Sequence, residues 1–345
     1  MTETPKVSII IPVKPGGTVS AIAGVREAEY PAASFEVLVA EGLQPSRQRN
    51  LAAEAAAGDI LYFLDDDSQV SPEFLHRVIR HYADSSVSVA GGPSLTPDSD
   101  TTLQHTFSML FTSALGGGGM RNRYRRTGGV RVTCDRELIL CNLSFRRECF
   151  LGHGGFDERL YPNEENELLE RIRRDGGRLI HDPDLAVFRS QRRTLKTFCR
   201  QLFSYGKGRG KQTVISGVLK PVTFIPSIFL LYLLLLPLAH KAVYYLPLLC
   251  YLISTVIVAA FEVIGSGRFR SAFMLPVLFP LFHICYGAGL IRGLCQCGWK
   301  RLPPLTDEVT IRRVKEFGGE WESETSDPGN RVQGTVKHRN SGQNG

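Results

Sequence analysis

The 345-residue chain contains no Cys-x-x-Cys pair and no Cys/His run with zinc-knuckle spacing. Its eight cysteines are scattered. The one close pair, Cys295 and Cys297, is too tight for a knuckle and has no histidine pair after it. All eight read as reduced, structural thiols. No base-reading module is recognisable, so the formal charge of +7 does not point to nucleic acid. No GK[ST] follows the glycine run at 116–119, which excludes a Walker phosphate loop. The N-terminus lacks the basic run, apolar core and cleavage site of a signal peptide, and the short apolar run at 7–13 reads as a strand instead. The N-terminal region is therefore expected in the cytosol. The last deficit is of charge: 222–238, 243–264 and 272–291 hold one acid, Glu262, and no Lys or Arg.

What is present falls into three regimes. Residues 1–215 mix charged, apolar and glycine residues as soluble domains do; 216–292 are mostly apolar; 293–345 are polar again. A spanning helix needs roughly 20 apolar residues. The second and third apolar stretches meet that length, while the first is shorter and contains Pro226. Glu262 lies near the end of its stretch, at an interfacial position. Two to three transmembrane helices follow. Three crossings would put the tail opposite the N-terminal domain, whereas Arg292, Lys300 and Arg301 favour the cytosolic side. The sequence leaves both open. The stretch 318–345 is rich in Gly, Ser, Asn and charge and reads as disordered. With an apolar region beside it, the positive charge fits anionic lipid and phosphorylated ligands.

In the soluble part, VSIIIPV at 7–13 is a continuous β-branched run, as in a strand buried on both faces. EVLVA at 36–40 and ILYFL at 60–64 are two more strands. Helical stretches at 20–29 and 46–57 separate them; the second starts after Pro45 and stops at Gly58. This alternation predicts an α/β fold with a mostly parallel sheet, whose ligands gather at the carboxyl ends of the strands. After Leu64 come Asp65, Asp66 and Asp67. Three acids at a strand end repel one another, and a hard divalent cation, Mg²⁺ or Mn²⁺, is one compensation. A solvated turn before a helix beginning near Ser71-Pro72-Glu73 is the other.

The order of these motifs resembles the family 2 glycosyltransferases. VSIIIPV, EVLVAEG and SRQRNLAAEAAAGDILYFLDDDSQVSPEFL carry the resemblance, and NLSFRRECFLGHGGFDERLYPNEENELLERIRRDGG and RQLFSYGKGRGK extend it over about 5–212. The narrower likeness is to bacterial enzymes that build exopolysaccharide on lipid carriers, the succinoglycan type. The resemblance implies a GT-A fold, a Rossmann-like nucleotide-diphospho-sugar transferase domain, here at 1–215. It is followed by a membrane region at 216–292 and a partly disordered tail at 293–345. The implied setting is the bacterial inner membrane, multi-pass, with the catalytic domain cytosolic.

The same resemblance implies site roles. Asp65 and Asp67 match the outer acids of the DxD motif that holds the metal against the donor diphosphate, with Asp66 between them. Glu41 stands where an acid often meets the nucleoside base, although VAEG replaces the more familiar VDDGS. Arg49 matches the RN pair on the donor side. Glu164-Glu165 matches a Glu-Asp pair whose second acid takes the proton from the acceptor hydroxyl. Glu165 is thus the expected base, one methylene longer than the family's Asp, with Glu164 as alternate. Asn163 is also able to cap a helix there. Gly155 and Asp157, and Gln201 and Arg209, fall on the acceptor and membrane side; the chain lacks the QxxRW motif of processive relatives. The run 116–126 reads as a mobile basic loop or a solvated turn. A basic interfacial helix is expected around 194–205. The implied reaction is inverting transfer from a nucleotide sugar, a UDP-sugar for preference, to a lipid-linked saccharide at the membrane. Transfer to a polyprenyl phosphate and a catalytically silent membrane scaffold are the rival readings.

Overall fold

The computed structural model describes residues 4–296 and 308–322. In chain order the first part runs β1 (Val7–Val13), α1 (Ala21–Arg26), β2 (Phe35–Glu41), α2 (Pro45–Ala55), β3 (Ile60–Leu64), α3 (Phe74–His81), β4 (Val87–Gly91), β5 (Ser94–Leu95) and α4 (Thr102–Thr112). Then come β6 (Arg131–Val132), β7 (Asn142–Arg146), α5 (Arg147–Gly152), α6 (Glu164–Arg174), β8 (Arg178–His181) and β9 (Val187–Phe188). Four helices follow, α7 (Leu195–Ser216), α8 (Ile225–Leu235), α9 (Leu246–Ser266) and α10 (Leu275–Cys295), and one last strand, β10 (Thr310–Lys315).

Every residue of β1 is buried, as its unbroken β-branched run requires. The main sheet has the order β10-β2-β1-β3-β7-β4-β8-β6. β2, β1 and β3 are parallel, but β7 inserts antiparallel between β3 and β4, so the sheet is mixed rather than mostly parallel. On one face, Val7, Ile9 and Ile11 meet Ala21 and Val25 of α1 and Phe74 and Val78 of α3. On the other, Ile10, Leu61 and Phe63 meet Ala52 of α2 and Leu168 and Ile172 of α6. Burying both faces leaves the carboxyl ends of β1, β2 and β3 as the open edge of this layer, the place where ligands settle in such sheets.

A third cluster joins this domain to the apolar helices. Phe107 and Leu110 of α4 and Phe198 and Leu202 of α7 pack with Ala259 and Val263 of α9 and Leu275 and Phe279 of α10. The Phe107 and Phe198 rings stack 3.8 Å apart. α7 and α10 approach through glycines: a Cβ on Gly206 would lie 2.0 Å from the Tyr286 carbonyl oxygen, and one on Gly289 2.1 Å from that of Phe203. The glycines of the GKGRGK run are therefore packing residues of a helix, and α7 extends well beyond the expected 194–205. Among the described residues, three helical segments, Pro221–Leu238, Ala242–Ser266 and Leu275–Cys295, are long and apolar enough to cross a membrane.

The polar tail contributes a strand that the sequence reading does not anticipate. β10 pairs antiparallel with β2 at the sheet edge. Lys315 reaches inward to the carbonyls of Ala32 (2.7 Å) and Phe35 (3.0 Å), and Trp321 meets the Phe35 ring edge-on. Of the stretch 318–345 expected to be disordered, 318–322 instead fold back on the sheet edge, where the Gly318 amide donates to the Ala32 carbonyl (3.0 Å) and Trp321 bridges Lys315. Residues 323–345 lie outside the described residues, as does Cys297, and Cys134, Cys141, Cys149, Cys199, Cys250, Cys285 and Cys295 are free thiols.

Candidate active site

The three acids sit where β3 leaves the sheet. Asp65 Oδ1 accepts from Arg49 Nη2 at 2.8 Å, and its Oδ2 faces Arg189 Nη1 at 3.1 Å. Burial pushes the Asp65 carboxyl up, but the charges of Arg189 and Arg49 outweigh it and hold the group below its ordinary value. Arg189 also donates through Nε to Asp67 Oδ1 at 2.5 Å. Asp66 keeps its side chain outside this network; its carbonyl accepts from Ser20 and from the amide of Ala21, fixing the start of α1. Burial, then the charges of Asp67 and Asp65, push Asp66 up. The triplet thus retains negative charge that its two arginines do not neutralise.

Arg49 lies in α2, which begins with Pro45 at its first turn and turns Arg49 under the sheet, 4% exposed. Its guanidinium bridges Asp65 to Glu164 Oε1 (3.1 Å), tying the triplet to the start of α6. Glu164 is buried, and its Oε2 has no hydrogen-bond partner. Burial pushes its carboxyl up to about 8, against the charge of Arg49. Glu41, at the end of β2, accepts from the amide of Gly16 in the β1–α1 loop at 3.3 Å. The strand order β2-β1-β3 places Glu41 two strands from the acid triplet on the same edge.

Glu165 faces a different environment. Both of its recorded bonds fall on Oε1, from Arg123 Nη1 (3.2 Å) and Asn166 Nδ2 (3.0 Å). Glu164, Glu165 and Glu167 occupy the first turn of α6, where the helix dipole favours anions. Asn163 precedes them in a left-handed backbone (φ 89°) and makes no side-chain cap. Its side chain instead meets Asn166 (3.2 Å) and the Tyr205 carbonyl (3.5 Å), which docks this turn on α7.

Glu165 lines a cavity of about 460 Å³ that runs from α6 to the apolar helices. Its walls include Arg123 and Tyr124, Tyr205 and Arg209 of α7, and Tyr286 of α10. Of the basic run at 116–126, residues 116–120, 123 and 124 line this cavity rather than forming a solvated turn: a Cβ on Gly117 would fall 1.8 Å from the Phe111 carbonyl oxygen, so the chain hugs the end of α4. Arg123 is 4% exposed and donates to Glu165, Asn166 and the carbonyls of Asp135 and Arg136. Arg209 bonds Gln212 (2.8 Å) and approaches the Met120 sulfur (3.9 Å). Lys220 pairs with Asp135 at 3.1 Å.

The expected site residues therefore divide. Asp65, Asp66, Asp67, Arg49 and Glu164 come together at the end of β3, and Glu165 and Arg209 line the cavity. Gln201 stands behind it, donating to the Tyr205 hydroxyl at 2.7 Å. Gly155 and Asp157 are not among the cavity's lining residues. The Gly155 carbonyl accepts from Arg171 (2.9 Å), and Asp157 is clamped by Arg159. Arg189 and Arg123 are the two contributors that sequence reasoning passes over. Arg123 stands in the basic run already noted, but nothing in the sequence marks Arg189 among its neighbouring arginines.

Comparison with known proteins agrees with this architecture. Residues 32–140 match the family model for glycosyl transferase family 2, a span holding Glu41, Arg49 and the acid triplet but not Glu164 or Glu165. Over 112 residues the chain is 28% identical to the glucosyl-dolichyl phosphate glucuronosyltransferase of Haloferax volcanii. The match covers 32% of this chain and 34% of that protein, so the chain spans about a third of the length of the curated relative it matches. Among solved structures, the mannosyltransferase PcManGT from Pyrobaculum calidifontis, in complex with GDP-Man and Mn²⁺, superposes with a TM-score of 0.51 at 14% identity, covering 86% of this chain and 89% of that one. TarS residues 1–349 of S. aureus with UDP gives a TM-score of 0.42 at 12% identity over 92% and 98% of the two chains. Residues 32–140 thus carry the pattern of glycosyl transferase family 2, and the α/β part of the chain has the GT-A fold.

Proposed function

We propose that the chain transfers a sugar, with inversion, from a nucleotide-diphosphate donor to a lipid-linked acceptor held at the membrane. The observation that carries this reading is the cavity that begins at Glu165 and ends among Val222, Ile225 and Pro226 at the start of an apolar helix. Such a shape suits an acceptor with a polar head and an apolar tail. Glu165, anchored through Oε1 alone, is the group to take the proton from the acceptor hydroxyl as it attacks the anomeric carbon. Arg123 and Asn166 fix its orientation. Arg209, with no carboxylate among its recorded partners, is placed to meet an anionic group of the acceptor.

The donor side rests on Asp65 and Asp67. The residues fit a hard divalent cation: oxygen donors at a strand end, where burial and then the charges of Asp67 and Asp65 raise Asp66. Among the described residues no three metal-ligating side chains cluster, so an ion held by Asp65 and Asp67 would take further oxygens from diphosphate and water. When bound there, Mg²⁺ or Mn²⁺ supplies charge neutralisation for the departing diphosphate. Arg189 spans both acids and would compete with a cation for Asp67 Oδ1. Glu41 and the Gly16 turn offer the nucleoside end of the groove. UDP-sugars are the first donors to try, in a pathway of cell-surface polysaccharide synthesis.

A second reading has its own support. Arg123, Arg209 and Lys220 line the cavity, a setting that also fits a polyprenyl phosphate acting itself as nucleophile. It needs no carboxylate base. Titration of UDP-, GDP- and dTDP-sugars with Mn²⁺, then with EDTA, tests the donor site: one nucleotide should bind in a metal-dependent way and lose affinity in Asp67→Ala. Binding of none, with or without metal, sinks both readings and leaves a silent scaffold. Glu165→Gln then separates them, since only the hydroxyl acceptor requires the base.

A further inference from the structure

We infer that only α8 and α9 cross the membrane, as a hairpin, and that α10 stays on the side of the catalytic domain although it is long and apolar enough to span. The inference rests on the membrane reading above and goes beyond it by fixing which helices cross.

Parity comes first. β10 follows the three apolar helices, yet it is a strand of the catalytic sheet, in register with β2 from Thr310 opposite Glu41 to Lys315 opposite Val37. Arg313 Nε lies 3.7 Å from the buried Glu36 carboxylate, and Lys315 is inserted among carbonyls of the β2 approach. The chain therefore ends its apolar region on the side where it began, and an odd number of crossings is excluded.

The link between α9 and α10 then says which helices pair. Ser271 Oγ lies 2.8 Å from Thr106 Oγ of α4, and Arg268 contacts Asp98 at 3.3 Å. This link sits on the catalytic domain, so α8 and α9 together cross twice or not at all, and α10 does not cross. The course of α10 agrees. Its start packs on Phe107, His283 Nε2 lies 3.2 Å from the Leu115 carbonyl oxygen, and Gly293 abuts the Lys207 carbonyl of α7. Its 21 residues span about 31 Å, so a crossing orientation would pull α4 and α7 into hydrocarbon with it. In its most apolar window 44% of residues are buried within the protein, against 11% and 17% for the other two segments.

α8 and α9 have the opposite character. They meet at the Phe229 and Tyr251 rings (4.5 Å), and the Tyr232 hydroxyl holds the turn before α9 by donating to the Tyr244 carbonyl (2.7 Å), while the start of α8 rests on α10 through the Ser227 hydroxyl and the Gly287 carbonyl (3.1 Å). Around that seam Ile228, Leu234, Leu249 and Val256 are exposed, an apolar surface of the kind lipid covers. Lys220, Arg268, Arg270 and Arg292 lie at the domain end, against Lys241 in the turn at 239–242. That asymmetry sets the domain side as cytosolic. It also places the Val222–Pro226 end of the cavity at the cytosolic leaflet.

The test is labelling of full-length His240→Cys and Glu320→Cys in spheroplasts of a bacterial host with a membrane-impermeant maleimide, the labelled position being located by peptide mapping. The expected result is labelling at 240 in intact spheroplasts and at 320 only after permeabilisation. An antibody tag inserted at 240 gives a second readout that does not depend on thiol reactivity. Labelling at 320 from outside would show three crossings, and protection of 240 in intact cells by both methods would show none; either overturns the inference. Recovery of the chain in the soluble fraction overturns the membrane reading and this one with it.

Discussion

Removing the Arg49 guanidinium should destabilise the protein in a way that depends on pH. Arg49 is the recorded hydrogen-bond partner of Glu164, and the two side chains are 5% and 2% exposed. Breaking a buried pair by deleting one member costs about 3–5 kcal/mol when the survivor stays charged. Asp65 retains Arg189 at 3.1 Å, so Glu164 bears most of the loss. Its carboxyl is already raised from 4.5 to about 8, so the folded protein holds this proton more tightly than the unfolded chain. Such a group contributes fully below about 4.5, and that contribution is lost as pH rises toward 8. In Arg49→Met the carboxyl rises further. At pH 5 Glu164 is protonated and the deletion costs about 1–2 kcal/mol, the scale of lost hydrogen bonds. At pH 8 the wild-type carboxyl is only half ionised and the cost grows by no more than about 0.4 kcal/mol. By about pH 9.5, where it has ionised beside Arg49 and the variant's has not, the cost reaches about 3 kcal/mol, a fall of about 6–12 °C in Tm. Thermal unfolding in detergent, followed by intrinsic fluorescence at pH 5 and about pH 9.5, reads this directly. The double variant Arg49→Met/Glu164→Gln should recover most of the loss at about pH 9.5. A loss equal at pH 5 and about pH 9.5, or no recovery in the double variant, would show that Glu164 is not the group left unpaired.

Other outcomes follow from the same geometry. Arg209→Ala should raise the acceptor KM about tenfold, the loss of one charge-assisted contact, with donor affinity unchanged in the same preparation. Arg189→Gln should tighten Mn²⁺ binding in the absence of nucleotide, because Asp67 loses its competing guanidinium; calorimetry would show weaker binding if Arg189 served only to hold the loop. Gly289→Leu forces a side chain into the Phe203 carbonyl and should cost about 1–3 kcal/mol, read as a lower Tm in detergent.

Much of the fold was legible because its signals are local. β1 and β3 fall on the expected bounds, since a short run of β-branched and aromatic residues between turn residues admits little else. The apolar helices lie within a few residues of the charge-free stretches for the same reason. What escaped detection depends on partners far away in sequence. Arg189 meets Asp67 across 122 positions, and Arg123 meets Glu165 across 42. Neither arginine differs in sequence from its solvated neighbours. β10 (TIRRVK) is an edge strand whose outward charges give it the composition of a polar tail. The antiparallel β7 was also hidden, because strand direction is set by connection and not by residue type. At Asn163 the local signal misled: the residue stands at the N-cap position, but in a left-handed backbone (φ 89°) its side chain makes no cap and bonds Asn166 and the Tyr205 carbonyl of α7 instead.

A carboxylate base at Glu165, as proposed, makes sugar transfer to lipid depend on that one side chain. Membranes carrying the wild-type chain or Glu165→Gln are incubated with a radiolabelled nucleotide sugar and Mn²⁺, and label is counted in the organic lipid extract. Wild-type membranes should incorporate label in a metal-dependent manner. The variant should fall by about 10²-fold or more while binding donor normally, the loss typical of a general base. Incorporation by Glu165→Gln at the wild-type rate would contradict the account and leave the phosphate-nucleophile reading in its place.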